Sequence, residues 1–500
     1  MRVGTENLAW HAEAALERHG DYEWIFFDDQ WHTNGEIASR AARVATGLAR
    51  LGLKPGDRLA VLMANCLEVF VVYQAAWRVG AAITPLIFLL TEPEIRYALA
   101  DSGAVGIVTS QEHLAKVRAA ADSLPSAPFV LTAEDIGSLE ASEPAPIADR
   151  DGSDLAALLY TGGTTGRSKG VPLTHTNMAW CGRAVRTAVA GDLTRQLLPL
   201  PLSHVFGLGV LTAGMFRDIP GRLLLMKRFE PIAWLELAQR EHVEVGSLVP
   251  SMLQMLLASP LDDYDLSSLV AVTCGGAPLT AALRETFETR LPGTLIYEGY
   301  GCTEAGATIS VNPHGRRRPG SVGLPVPGCE VSIRADDGSE LSPGEDGEIC
   351  ARSPGVTAGY WHAASDESAI DDDGWLHTGD IGHLDADGYL YIIDRKKDLI
   401  IRGGYNVYPV DVENTLLRHP AVTAAGVVGR PDERLGEEIV AFVSVRSEVT
   451  PEELVAHARG SLAANKYPRE IRIVPSLPLT SVGKLDRKRL RQWISTPDQP

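Results

Sequence analysis

The residues best equipped for chemistry come in one run, Tyr160-Thr161-Gly162-Gly163-Thr164-Thr165-Gly166-Arg167-Ser168-Lys169-Gly170. Glycines let a backbone turn so that its N–H groups converge, and such a concavity attracts an anion. Thr161, Thr164 and Thr165 add hydroxyl donors, and Lys169 adds a mobile positive charge. This composition suits a grip on the phosphates of a nucleotide. It departs from the Walker A pattern, which needs Gly directly before Lys and Ser or Thr directly after it; Lys169 stands between Ser168 and Gly170. Taken alone, the same residues equally suit a flexible surface loop.

Such a loop needs elements to hold it. The apolar run Leu155 to Leu159 reads as a buried strand leading into it. Upstream, Thr33-Asn34-Gly35-Glu36 has capping-box spacing, Ile37, Ala41, Val44, Ala45 and Leu48 share one face, and Gly52 can end the helix so defined. Strands at Arg58–Met63, before Pro85 and at Val105–Thr109 alternate with helices at Leu67–Val79 and from Thr91 to Asp101. This rhythm predicts an α/β fold with mostly parallel sheets. Residues 133–153, rich in Glu, Asp, Ser, Ala and Pro, read as a surface connection. Between 320 and 393, short apolar runs separated by Gly, Pro and Asp turns predict a small antiparallel β region. A charged turn, Asp394-Arg395-Lys396-Lys397-Asp398, leads into an α+β tail. That tail has a helix near 410–418, strands near 421–428 and 438–445, and a helix capped by Thr450-Pro451-Glu452-Glu453. The expected division is a multi-subdomain N-terminal domain, 1–394, and a mobile C-terminal lobe, 395–500, hinged near Lys397.

The 500 residues carry a net charge of −18, which argues against general binding to nucleic acid or to an anionic membrane surface. Cys66, Cys181, Cys274, Cys302, Cys329 and Cys350 show no metal-binding spacing and read as reduced thiols. There is no basic-then-apolar leader pattern and no run of membrane-spanning length, so a soluble, cytoplasmic protein is expected.

The loop at 160–170 resembles the phosphate loop of the adenylate-forming superfamily, which includes acyl-CoA synthetases, adenylation domains of peptide synthetases and beetle luciferases. Further stretches fall in that family's order: Pro201-Leu202-Ser203-His204, Gly275-Gly276-Ala277-Pro278, Tyr300-Gly301-Cys302-Thr303-Glu304, Trp375 to Asp380, Asp394-Arg395 through Pro409, and Pro478 to Lys484. The resemblance spans nearly the whole chain. Ser168 stands where the family often has Pro, and Lys397 where some members have Asp.

Each stretch has a bland reading beside the one the resemblance implies. Tyr300, between Gly299 and Gly301, could be a core aromatic; the resemblance makes it the ring that packs on adenine, beside Gly275–Pro278. Glu304 could be a solvated carboxylate, but Mg²⁺ prefers oxygen ligands shared with nucleotide phosphates, and by resemblance Glu304 holds that metal while Thr303 touches the α-phosphate. Asp380 could be a turn residue; a carboxylate also accepts two ribose hydroxyls, which is its implied role, with Arg395 nearby. A lone His204 is more often a core residue; the resemblance sets it beside the carboxylate pocket. A lysine such as Lys484 is usually solvent-exposed; by resemblance it bridges the attacking carboxylate and the α-phosphate.

The implied reaction has two steps. A carboxylate displaces pyrophosphate from ATP to give an acyl-adenylate, and a thiol then displaces AMP. Between the steps the tail lobe would turn about Lys397, withdraw Lys484 and present Gly403 and Gly404 to a pantetheine arm. With no carrier domain after Lys484, coenzyme A is the expected acceptor; a separate carrier protein is the alternative. Gly299 supplies no charge where related malonyl-CoA synthetases have arginine. With Val205, Phe206, Leu208, Val249, Pro250 and Met252 as candidate lining, an apolar acid is expected, a fatty acid ahead of an aryl acid. Arg316, Arg317 or Arg318 would reverse this by pointing inward. The rivals are a luciferase-like oxygenase and a nucleotide-binding protein without catalysis.

Overall fold

A computed structural model of the chain describes residues 7–161, 168–188, 193–362, 368–479 and 485–495. They form two compact units: residues 1–279, 283–331 and 351–376, and residues 280–282, 332–350 and 377–500. The second unit therefore holds about half of the small β region together with the tail.

The first unit contains two large sheets among the described residues. One has six strands, in the spatial order Phe129–Thr132, Gly106–Thr109, Arg58–Leu62, Ala82–Pro85, Leu155–Thr161 and Lys169–Thr174. All neighbours pair in parallel except the last two, which form an antiparallel hairpin that carries the glycine-rich loop. The other sheet has nine strands. Its parallel centre runs Leu295–Tyr300, Ala271–Cys274, Val245–Leu248, Arg195–Leu198, Arg222–Leu225 and Glu23–Phe27, with short antiparallel strands at each end.

Mostly parallel sheets need helices on their faces, and the helix Leu67–Val79 shows why the sequence complies. It is apolar nearly all round, and Phe70, Tyr73 and Trp77 are buried. Trp77 meets the requirement of a buried indole by donating from Nε1 to the Ala156 carbonyl at 2.9 Å, which fastens this helix to the strand leading into the loop. The helix Asn34–Arg50 starts as expected, with the Thr33 hydroxyl accepting from the Glu36 amide at 3.0 Å. The connection expected at 133–153 holds a helix, Ala133–Leu139, opened by a capping box between Thr132 and Asp135. Two turns with Ile136 as the one buried side chain give too little periodicity to stand out in the sequence.

In the second unit, Leu376–Leu384 and Leu390–Arg395 pair antiparallel within a four-stranded sheet. The tail is a five-stranded sheet built around the long pair Val422–Asp432 and Gly436–Val445 and covered by the helices Pro409–Leu417 and Pro451–Ser461. Thr450 and Glu453 make the expected capping box. No helix among the described residues is long and apolar enough to cross a membrane.

Candidate active site

Four strands of the larger sheet end side by side. Arg195–Leu198, Val245–Leu248, Ala271–Cys274 and Leu295–Tyr300 are parallel neighbours, with Leu248 opposite Cys274 and Cys274 opposite Glu298. Ligands of open α/β sheets bind outside the carboxyl ends of such strands. The chain leaving these ends is the set that the sequence singles out: Pro201–His204, Val249–Met252, Gly275–Pro278 and Gly299–Glu304.

The glycines here answer to close approach. A Cβ on Gly275 would lie 2.9 Å from the Gly299 carbonyl oxygen and 3.6 Å from the Phe206 ring. One on Gly301 would lie 1.9 Å from the Ala307 carbonyl oxygen, so no other residue lets the chain fold back after Tyr300. Gly276 has φ +79°. Tyr300 is half-buried between these tight passages. His204 caps the helix Val205–Gly214, its Nδ1 accepting from the Phe206 amide at 3.2 Å. In a neutral ring that bond places the proton on Nε2.

Glycine-rich residues 162–166 and Lys484 lie outside the described residues; the stem of the loop does not. Thr161 stands opposite Lys169, and Tyr160 opposite Gly170. The helix Glu92–Ser102 grips both limbs. Tyr160 donates its hydroxyl to Asp101 Oδ2 at 2.7 Å, and Tyr97 donates to the Ser168 carbonyl at 3.0 Å. Trp361 adds two bonds, from Nε1 to the Asp101 carbonyl at 3.1 Å and from its amide to the Gly170 carbonyl at 2.8 Å. Burial and the Asp101 carboxylate hold the Tyr160 phenol well above its ordinary pKa, so it remains a donor.

Glu304 lies in the short 3₁₀ turn Thr303–Ala305. Its Oε1 accepts the Tyr360 hydroxyl at 3.0 Å, and its backbone carbonyl accepts from the Thr357 amide at 2.8 Å. The Lys169 ammonium lies 4.8 Å from the centre of the Tyr360 ring. A predicted phosphate-binding lysine and a predicted metal-holding carboxylate thus meet on one tyrosine. Mg²⁺ is usually held by one or two carboxylates together with phosphate oxygens, and Glu304 with a triphosphate meets that demand without a protein cage.

In the second unit, Asp380 stands opposite Arg395, with Arg395 Nε 3.3 Å from Asp380 Oδ1. Lys397 is held below its ordinary pKa by burial and by the Arg395 charge. Asp398 beside it receives Arg491 at 2.8 Å. Gly403 and Gly404, with φ of +60° and +80°, join the strands Ile400–Arg402 and Tyr405–Val407.

Nothing in the sequence singles out Tyr97, Asp101, Tyr360 or Trp361, because each sits in a helix or a loop with no distinctive neighbours. Arg317, one of the three arginines whose inward turn would argue against an apolar acid, donates to Glu288 and to the Ile296 carbonyl.

Residues 12–361 match the family model described as AMP-binding enzyme, and residues 411–484 the model described as AMP-binding enzyme C-terminal domain. A feruloyl-CoA synthase of Amycolatopsis is 37% identical over 470 residues, covering 92% of this chain and 93% of the relative. A long-chain-fatty-acid–CoA ligase of Bacillus subtilis is 34% identical over 519 residues, covering 95% and 92%. Among solved structures, ATP-bound MatB from Rhodopseudomonas palustris superposes with a TM-score of 0.91 at 30% identity, covering 99% of this chain and 100% of that one.

Proposed function

Since the chain belongs to the AMP-binding enzyme family and is an AMP-forming acid–thiol ligase, we propose that it joins an apolar carboxylic acid, a fatty acid first, to coenzyme A. The observation that carries the apolar reading lies at the strand ends. Phe206 and Val210 on the helix that His204 caps, Val249 and Met252 after the strand Val245–Leu248, and Ala307 after Glu304 are half-buried apolar side chains packed on the first unit's core. Phe206 and Val249 approach Gly275 and Gly276 directly, at 3.6 Å and 3.8 Å from the positions their Cβ atoms would take. Gly299 adds no charge, and Arg317 is engaged elsewhere.

In the reaction, a carboxylate oxygen of the acid attacks the α-phosphorus of ATP. The bond to the bridging oxygen breaks and pyrophosphate leaves. Lys169, Thr161 and the loop residues Gly162, Gly163, Thr164, Thr165 and Gly166 steady the β- and γ-phosphates. Tyr300 with Gly275–Pro278 holds adenine, Asp380 and Arg395 hold ribose, and Thr303 meets the α-phosphate. Lys484 bridges the two anions as they close, where a fixed positive charge is worth most. Glu304 would hold Mg²⁺, which when bound offsets phosphate charge. The CoA sulfur then attacks the acyl carbon, the acyl–phosphate bond breaks and AMP leaves. Gly403 and Gly404 line the approach of the pantetheine arm after the tail turns about Lys397.

A second reading, an aryl acid, is favoured by the feruloyl-CoA synthase, which has a higher identity than the fatty-acid ligase. Saturated fatty acids of graded length and hydroxycinnamic acids, each supplied with ATP, Mg²⁺ and CoA, separate the two by thioester yield. Thioester with fatty acids supports the first reading, and thioester with aryl acids alone moves the assignment to the second. Pyrophosphate without CoA thioester, but with loading of a pantetheinylated carrier protein, replaces CoA by that protein. No pyrophosphate with any acid overturns the proposal.

A further inference from the structure

We propose that Tyr360 is a positioning residue for the nucleotide: its hydroxyl fixes the Glu304 carboxylate and its ring seats the Lys169 ammonium, so that metal-holding and phosphate-holding groups move as one. The proposal rests on the roles given above to Glu304 and Lys169.

The strap 357–361 is bonded on both sides. Towards the glycine-rich hairpin, the Thr357 hydroxyl donates to the Pro172 carbonyl at 2.6 Å, and the Trp361 amide donates to the Gly170 carbonyl at 2.8 Å. Gly170 has to be small there, since a Cβ on it would lie 3.0 Å from Trp361 Cβ. Towards the 3₁₀ turn, the Thr357 amide donates to the Glu304 carbonyl. Tyr360 therefore projects from a segment whose backbone is fixed against both partners.

Its two contacts are of different kinds. The hydroxyl-to-carboxylate bond, 3.0 Å, fixes one oxygen of Glu304 and leaves Oε2 outside that bond, the arrangement a carboxylate needs to meet a hard cation on its other side. The ring face, 4.8 Å from Lys169 Nζ, attracts the ammonium through the aromatic quadrupole. A tyrosine phenol is protonated at neutral pH, so the hydroxyl is the donor in this bond. A carboxylate left to swing, or an ammonium left in solvent, would each have to be ordered when MgATP binds, at an entropic cost that Tyr360 meets beforehand.

The test uses Tyr360→Phe, which keeps the ring and deletes the hydroxyl, with Tyr360→Leu, Glu304→Gln and the double variant Tyr360→Phe/Glu304→Gln, all in the full chain. Calorimetric titration of ATP is run over a series of Mg²⁺ concentrations and again in EDTA. Tyr360→Phe is expected to raise the half-saturating Mg²⁺ concentration roughly ten-fold and to leave ATP binding in EDTA unchanged. In the Glu304→Gln background it should add nothing, because its effect passes through that carboxylate. Tyr360→Leu, which also removes the ring, should weaken ATP binding in EDTA. If Glu304→Gln raises the Mg²⁺ requirement and Tyr360→Phe does not, the assignment of Tyr360 is overturned while that of Glu304 stands. If Glu304→Gln leaves the requirement unmoved, the reading of Glu304 fails, and Tyr360 with it.

Discussion

Arg395 reaches across an antiparallel pair to Asp380, its Nε 3.3 Å from Oδ1, so the two residues assigned to ribose are already joined before any nucleotide arrives. Asp380 is 8% exposed, and a buried charge is ordinarily paired in this way. Asp380→Asn keeps the shape and removes the charge. A hydrogen bond to a charged group contributes about 1.5–3 kcal/mol, so the KM for ATP should rise roughly ten-fold or more. The sharper measurement compares ATP with 2′-deoxyATP. The parent should discriminate between them, and the variant should lose most of that preference. Equal discrimination in both would remove Asp380 from the ribose site.

The grip of the helix Glu92–Ser102 on both limbs of the glycine-rich hairpin makes a second prediction. Tyr160→Phe frees one limb from Asp101, and Tyr97→Phe frees the other from the Ser168 carbonyl. Neither residue is expected to meet substrate, yet each should raise the KM for ATP several-fold with a smaller change in kcat. Because both bonds steady one loop, the double variant should depart from the product of the two single effects. KM values equal to the parent's in both single variants would reduce the grip to a matter of local packing.

How much of this was legible beforehand differs by residue. The helix Asn34–Arg50 and the capping box at Thr450 were readable because a cap and a 3.6-residue apolar stripe are local patterns. The parallel sheets followed from the alternation of short apolar runs and helices. Gly275, Gly299, Gly301 and Glu304 could be named because the stretches that hold them resemble family motifs in the family's order, not because their spacing alone singles them out. Tyr360 could not. It lies 56 residues from Glu304 in sequence, and its partner is set by the path of the 357–361 strap. The helix at 133–139 was missed because so short a helix buries a single side chain.

Glu298 lies in the strand Leu295–Tyr300, beside Gly299, and carries a pH dependence. Burial raises its pKa from 4.5 to about 7, and the Arg284 charge, 3.7 Å away, offsets only part of this. Between those values the folded state holds a proton that the unfolded state has lost. Stability from this group is therefore fully present below pH 4.5 and is lost as pH rises through 7. Glu298→Gln removes the titration. The variant should match the parent near pH 5 and gain on it towards pH 8, by at most about 3 kcal/mol. Denaturant unfolding at a series of pH values measures the difference, and two parallel stability curves would contradict it.

Gly403 and Gly404 raise a question of cause. Two residues join the strands Ile400–Arg402 and Tyr405–Val407, and both have positive φ, as a type I′ hairpin turn requires. The turn alone would explain the glycines, with no pantetheine arm invoked. Asparagine separates the explanations, because Asn-Gly is a favoured pair in such turns, whereas its side chain would narrow a passage beside the backbone. At Gly403 a Cβ would make only ordinary contact, 3.5 Å from Leu435. Gly403→Asn should therefore fold like the parent, with a melting temperature close to it and acid-dependent pyrophosphate release in a single turnover unchanged. Transfer from acyl-adenylate to CoA should slow by about ten-fold, the scale expected when a reactant is held out of its attacking geometry. Transfer at the parent rate would leave the turn as the whole reason for the glycine.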